Sequence, residues 1–73
     1  MNILAESVYK FIELVGSSEK SWEDAVRNVV DQAAKTLRDL RMVEVVEFGV
    51  KLDENKIVLF RARVKVSFKY EGK

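Results

Sequence analysis

Apolar and polar residues divide the chain into four patterned segments joined by short polar links. Val8 to Val15 (VYKFIELV) is rich in β-branched and aromatic residues and stops at Gly16-Ser17-Ser18, which predicts a first strand. Val8, Ile12 and Leu14 fall on one face and Tyr9, Phe11 and Val15 on the other, with Glu13 the exception. A strand covered on one side alternates more cleanly, so both faces of this one are expected to be covered. Ser21 and Asp24 have the spacing of a capping box, and Glu23 and Asp24 place negative charge at the positive end of a helix dipole. Val26, Val29, Val30, Ala33, Leu37 and Leu40 then recur at three- and four-residue steps, predicting a helix from about Trp22 to about Leu40. Lys35 and Arg38 fall in its final turns, where cations suit the dipole.

Met42 to about Leu52 reads as a second strand, with Met42, Val46, Phe48, Val50 and Leu52 on one face and Glu44 interrupting them. Gly49 inside it marks a bulge, a bend or a close backbone approach. Asp53-Glu54-Asn55 forms a polar turn, so this strand and the next make an antiparallel hairpin. From Lys56 to Tyr70, Val58, Phe60, Ala62, Val64, Val66, Phe68 and Tyr70 share one face. Ile57, Leu59, Arg61, Arg63, Lys65, Ser67 and Lys69 share the other. Such a strand spans roughly 50 Å, whereas the helix covers only ~30 Å. Neighbouring subunits are expected to cover the remainder. The fold class is therefore α+β: a β-α-β-β chain, its three-stranded antiparallel sheet wrapped around one helix.

Composition narrows the function. A chain of 73 residues has room for one domain, with residues 1–6 expected to be a flexible N-terminus. A core this small is marginal without disulfides, metal or partner subunits. The sequence has no cysteine and no histidine, which removes a disulfide framework, thiolate metal sites and the usual general base. Oligomerisation is the remaining staple. Thirteen basic residues against twelve acidic ones give a formal charge of +1 and no reason to expect nucleic acid as a partner. No apolar run approaches the ~20 residues of a membrane span. The first residues lack the pattern of a signal peptide, so a cytoplasmic location is expected.

The run VYKFIELVGSS followed by SWEDAV, the helix end AAKTLRDLR, the stretch VEVVE and the closing VKVSFKY together resemble the dodecins. The match covers about Ser7 to Tyr70 in unbroken order. The resemblance implies a hollow homo-dodecamer of cubic symmetry that binds a small ligand. Typical dodecins hold flavins in pairs near two-fold axes. A tryptophan directly after the helix stacks on the flavin ring, and a glutamine on the third strand hydrogen-bonds its edge. The matching positions here are Met42, just after Leu40-Arg41, and Arg61, after Phe60. A thioether packs on a ring less directionally than a second π-face. A guanidinium cannot accept a hydrogen bond from the flavin N3–H. The resemblance thus implies a degenerate site for riboflavin or FMN. These departures, and the ending FRARVKVSFKY, are similar to the calcium-dodecin subgroup, which keeps the shell without the aromatic stacker. Glu13, Glu44 and Glu47 are then the candidate calcium ligands, since carboxylates repeated by symmetry could form rings of oxygens. A cation or the basic residues of strand three would offset their mutual repulsion.

Each feature also has a plainer reading. Trp22, the single tryptophan, stands at the first helical position and is expected to pack at a subunit surface. Met42 reads most simply as a core or interface residue. The row of Arg61, Arg63, Lys65 and Lys69 is expected to pair with strand-two acids rather than hold phosphate. Glu13, Glu44 and Glu47 lack any accompanying nucleophile or Gly-rich phosphate loop, and Ser17, Ser18 and Ser21 read as turn and cap residues, so no enzyme activity is expected. The alternatives are a small-ligand storage shell, a calcium-holding shell and a structural shell without ligand.

Overall fold

Ser21 starts the helix as its spacing predicts, with Oγ accepting the Asp24 N–H at 3.0 Å. In the computed structural model, which describes residues 8–70, the elements run β1 (Tyr9–Ser18), α1 (Trp22–Thr36), β2 (Leu40–Asp53) and β3 (Lys56–Lys69). The segment 1–6 expected to be a flexible N-terminus lies outside the described residues. All pairings are antiparallel and the strand order is β1-β3-β2, so the long alternating β3 is central. That position suits its sequence, because a central strand must satisfy neighbours on both edges along its whole length.

The helix is shorter than its apolar periodicity suggests. Leu37 is already extended and its N–H closes the last turn on the Ala33 carbonyl at 2.8 Å. Asp39 takes a positive φ of 57°, which reverses the chain so that Leu40 can open β2 opposite Phe68. Leu37 and Leu40 continue the helical spacing without being helical, and Arg38 falls beyond the last turn. Pairing with β3 outweighs another turn of helix.

β1 runs longer than predicted, through Gly16-Ser17-Ser18, instead of stopping there. Gly16 pairs with Ala62 and lies where α1 presses on the sheet. A Cβ there would collide with the Ala25 carbonyl oxygen and with Val29 Cγ2. The glycine is therefore a packing requirement and not a strand stop. At the end of β1, the buried Ser18 donates its hydroxyl to Asp24 at 2.7 Å and accepts the Lys20 N–H at 2.9 Å. Half of the expected capping box thus becomes a link between strand and helix.

The core is narrow and made of small residues. Ala25, Val29 and Ala33, four apart on α1, lie with Ala62, Val64 and Val66 of β3 among the buried residues. Ile12, Leu14, Val26, Leu40 and Val43 pack around them. The sheet extends well past this core: the subunit measures 53 × 23 × 16 Å, and its radius of gyration is 15.0 Å against ~11 Å for a compact domain of this length. Phe11, Val15, Phe48, Leu52 and Ile57 are each more than half exposed. A single chain cannot cover its own apolar surface.

Asp53 and Lys56 pair directly, so the turn contains only Glu54 and Asn55, both at positive φ (52° and 66°). That is the backbone of a type I′ hairpin, which favours Asn-Gly. The double change Glu54→Asn with Asn55→Gly is expected to raise the urea midpoint, by an amount near ~1 kcal/mol, because left-handed backbone costs ordinary L-residues roughly 1–2 kcal/mol each.

Candidate functional site

The sheet face turned away from α1 carries nearly all the chemistry. Residues directly opposite on neighbouring strands share a face, and the buried Ala62, Val64 and Val66 fix which face of β3 meets the helix. Arg61, Arg63, Lys65, Ser67 and Lys69 therefore point outward, as alternation predicts. β1 adds Tyr9, Phe11, Glu13, Val15 and Ser17 to this outer face. On β2, strict alternation fails. Register shifts leave Arg41 and Val46 without partners, so Leu40, Val43, Val45, Phe48 and Val50 share the helix side. Met42, Glu44, Glu47, Gly49 and Lys51 share the outer side. The predicted placement of Met42 with Phe48 on one face is thus corrected by the bulge at Val46. The bulge at Val46 also unites Glu44 and Glu47, which simple alternation would separate.

Across the middle of this face the charges are paired. Arg63 Nη2 donates to Glu47 Oε1 at 2.6 Å, and Arg63 Nη1 lies 3.6 Å from Glu13 Oε1. The hydrogen bond to Glu47 and then the charge of Glu47 raise the Arg63 pKa above its ordinary value; desolvation opposes them, and the charge of the more distant Glu13 adds a lesser upward effect. Lys65 is opposite both Glu13 and Glu44, and its ammonium sits 4.6 Å from the centre of the Phe11 ring. The expected salt bridging of the strand-three basics is therefore present for Arg63. Glu13, Glu44 and Glu47 share one face, but Arg63 and Lys65 stand among them. Among the described residues, no group of three or more His, Cys, Asp or Glu could hold a metal ion.

Towards the hairpin the face changes character. Gly49 is opposite Arg61, which is opposite Ser17 on the other side. A Cβ on Gly49 would meet nothing within 4 Å, so Gly49 is neither a bulge nor a close approach but the floor of an open depression. Val15, Glu47, Gly49, Arg61 and Arg63 line a cavity of about 260 Å³ there. A second, of about 460 Å³, is lined by Val15, Ser17, Lys51, Leu59 and Arg61. Behind the floor, Trp22 Nε1 donates to the Gly49 carbonyl at 2.9 Å. Its ring packs against Phe48 and Phe60, at 5.4 and 5.2 Å between centroids. Trp22 thus pins the start of α1 to the hairpin on the helix side. Sequence reading expected Trp22 to pack at a subunit surface and missed this bond, since no local pattern links residues 22 and 49.

Comparison with known proteins decides the family. A model of the family described as Dodecin matches residues 8–71. The chain belongs to the dodecin family. It is 36% identical over 63 residues to the calcium dodecin of Mycobacterium tuberculosis, covering 86% of this chain and 89% of the relative. It is 38% identical over 64 residues to a dodecin of Thermus thermophilus, covering 88% and 93%. Among solved structures, the dodecin of Streptomyces coelicolor superposes with a TM-score of 0.86 at 29% identity, covering 94% of this chain and 99% of that one. A structure of the Mycobacterium tuberculosis calcium dodecin, described as having a novel calcium-binding site, superposes with a TM-score of 0.79 at 34% identity, covering 92% and 96%. The β-α-β-β fold with its antiparallel sheet is therefore the dodecin fold.

In this dodecin chain, Met42 is 56% exposed and opposite Ser67, whereas Arg61 is opposite Gly49. Six β3 positions separate Ser67 from Arg61, about 20 Å along a strand. Met42 and Arg61 share a face but not a pocket within one chain. A ligand touching both needs a second subunit. No helix among the described residues is long and apolar enough to cross a membrane.

Proposed function

We propose that the protein is a non-enzymatic, small-ligand storage shell, a dodecamer of this chain, in which the family's flavin site is degenerate. The observation that carries this reading is the outer sheet face. It combines exposed apolar residues that one chain cannot cover with Met42 and Arg61 on a single surface, at separate stations. Closure of several copies buries the former and brings the latter together across a subunit boundary. Met42 forgoes one stacking face, worth about 0.5–1.5 kcal/mol beyond area burial. Arg61 leaves a flavin N3–H without an acceptor, at ~1–3 kcal/mol. Together they weaken flavin binding by roughly 10- to 10³-fold. Titration of riboflavin into the assembled protein is expected to show weak quenching of flavin fluorescence or none. Tight, stoichiometric quenching at nanomolar protein contradicts the reading.

A calcium-holding shell is the second reading, supported by the identity to the mycobacterial calcium dodecin. Glu13, Glu44 and Glu47 are its proposed ligands, contributed by several subunits, because within one chain Arg63 is ion-paired to Glu13 and Glu47. Calorimetric titration of the chelator-treated assembly with calcium tests it. Saturable heat that Glu44→Gln abolishes favours this reading, and an absence of heat removes it.

A further inference from the structure

We infer that the depression over Gly49 is a binding site for a small aromatic carboxylate, with Arg61 and Lys51 holding the carboxylate and Val15 and Leu59 flanking the ring. This inference rests on the ligand-shell reading above and names the class of ligand.

Charge is distributed unevenly over the outer face. Arg63 is engaged by Glu47 and Glu13, and Lys65 lies over Phe11 between Glu13 and Glu44. Arg61 and Lys51, by contrast, form no ion pair among the described residues. Both line one cavity with Val15, Ser17 and Leu59, and Arg61 also lines the adjoining cavity over Gly49. Glu47, the acid lining the cavity over Gly49, is held by Arg63 at 2.6 Å. The two free cations therefore face space that lacks a counter-anion.

The shape and lining narrow the ligand. A guanidinium presents parallel N–H groups that match a carboxylate in two-point fashion, and an ammonium beside it adds a further donor. Ligand sites typically combine apolar walls with a few convergent polar groups. Here Val15 and Leu59 supply apolar wall, and the bare backbone of Gly49 supplies a flat floor. A fully charged, compact ion such as phosphate would leave that wall unused. An uncharged ring would leave both cations unmatched. A ring bearing one carboxylate uses both.

The structure also supplies a reporter. Trp22 is the single tryptophan, and its Nε1–H is bonded to the Gly49 carbonyl, on the other side of the floor. The experiment titrates the intact assembled protein with 2-naphthoate, 2-naphthamide and inorganic phosphate, following binding by calorimetry and Trp22 emission. Naphthoate is expected to bind at least about tenfold more tightly than naphthamide or phosphate, with the preference falling as salt rises. Arg61→Gln is expected to remove the preference and Arg61→Lys to retain part of it. Gly49→Val, whose Cβ meets nothing and whose φ is not positive, fills the floor and is expected to abolish binding while the assembly stays intact. Equal binding of naphthoate and naphthamide, binding of phosphate alone, or no binding to an intact assembly overturns the inference and leaves the shell reading standing. Failure of the wild-type protein to assemble overturns both.

Discussion

Gly16→Val is expected to destroy the folded subunit or lower its melting temperature drastically, although it replaces a residue in the interior of a strand with a strong strand former. The reason lies on the other side of the sheet. α1 approaches β1 so closely that the first carbon of any side chain at position 16 meets the Ala25 carbonyl oxygen and Val29 Cγ2. The first of these is backbone and cannot rotate away. Relief requires α1 to lift from the sheet, which opens the contact between Ala25, Val29 and Ala62 at the centre of the core. Overpacking of this kind costs about 1–3 kcal/mol and sometimes more, which in a domain of this size corresponds to roughly 5–20 °C or more in melting temperature. Gly49→Val is the matched control, since the same change at that strand glycine meets open space. Circular-dichroism melts of both variants decide the point. A Gly16→Val protein that melts with the wild type would mean that the helix does not rest on β1 as described.

The second large effect is a gain of function. Met42→Trp with Arg61→Gln is expected to raise riboflavin affinity by more than either change alone. On the reading proposed above, tryptophan supplies a stacking face and glutamine an acceptor, which together offset the proposed ~10- to 10³-fold deficit. The register adds a condition. Met42 and Arg61 are about 20 Å apart along the sheet of one chain, so their effects can couple only through a ligand bridging two subunits. A coupling of ~0.5–3 kcal/mol in the double-mutant cycle is the expected sign of such a shared ligand. Riboflavin titrations of all four proteins measure it. Strict additivity in intact assemblies, or no gain in the double variant, would separate these positions from any common flavin site. Arg61→Gln should at the same time remove the preference for naphthoate over naphthamide, so one substitution shifts the site from one class of ligand towards another.

How much of this was legible beforehand differs by element. β3 could be read residue by residue from Leu59 onward, because a central strand with one face on the core and a mostly charged face opposite alternates regularly there. The helix start was equally plain, since Ser21 and its acidic neighbours act locally. Its end was not: Leu37 and Leu40 keep the helical spacing while serving a turn and the first residue of β2. β2 misled for a related reason. Its bulges at Arg41 and Val46 are set by pairing with β3, and an alternation count carries no information about a partner's register. The candidate carboxylates and the Met42 and Arg61 pair came from a family resemblance. What the resemblance could not convey was that Arg63 is already ion-paired to Glu47 and Glu13. The role of Gly16 was hidden too, because a glycine before two serines resembles a loop, and only the approach of α1 reveals its use.

The central claim is that this chain works as a closed shell of identical subunits that holds a small molecule. Native mass spectrometry of the protein as purified tests it most directly, since one spectrum reports both copy number and retained ligand. The account predicts a dominant species with the mass of a dodecamer of the 8.4 kDa chain, without stoichiometric flavin. A stable, well-folded monomer or dimer at micromolar concentration would contradict it.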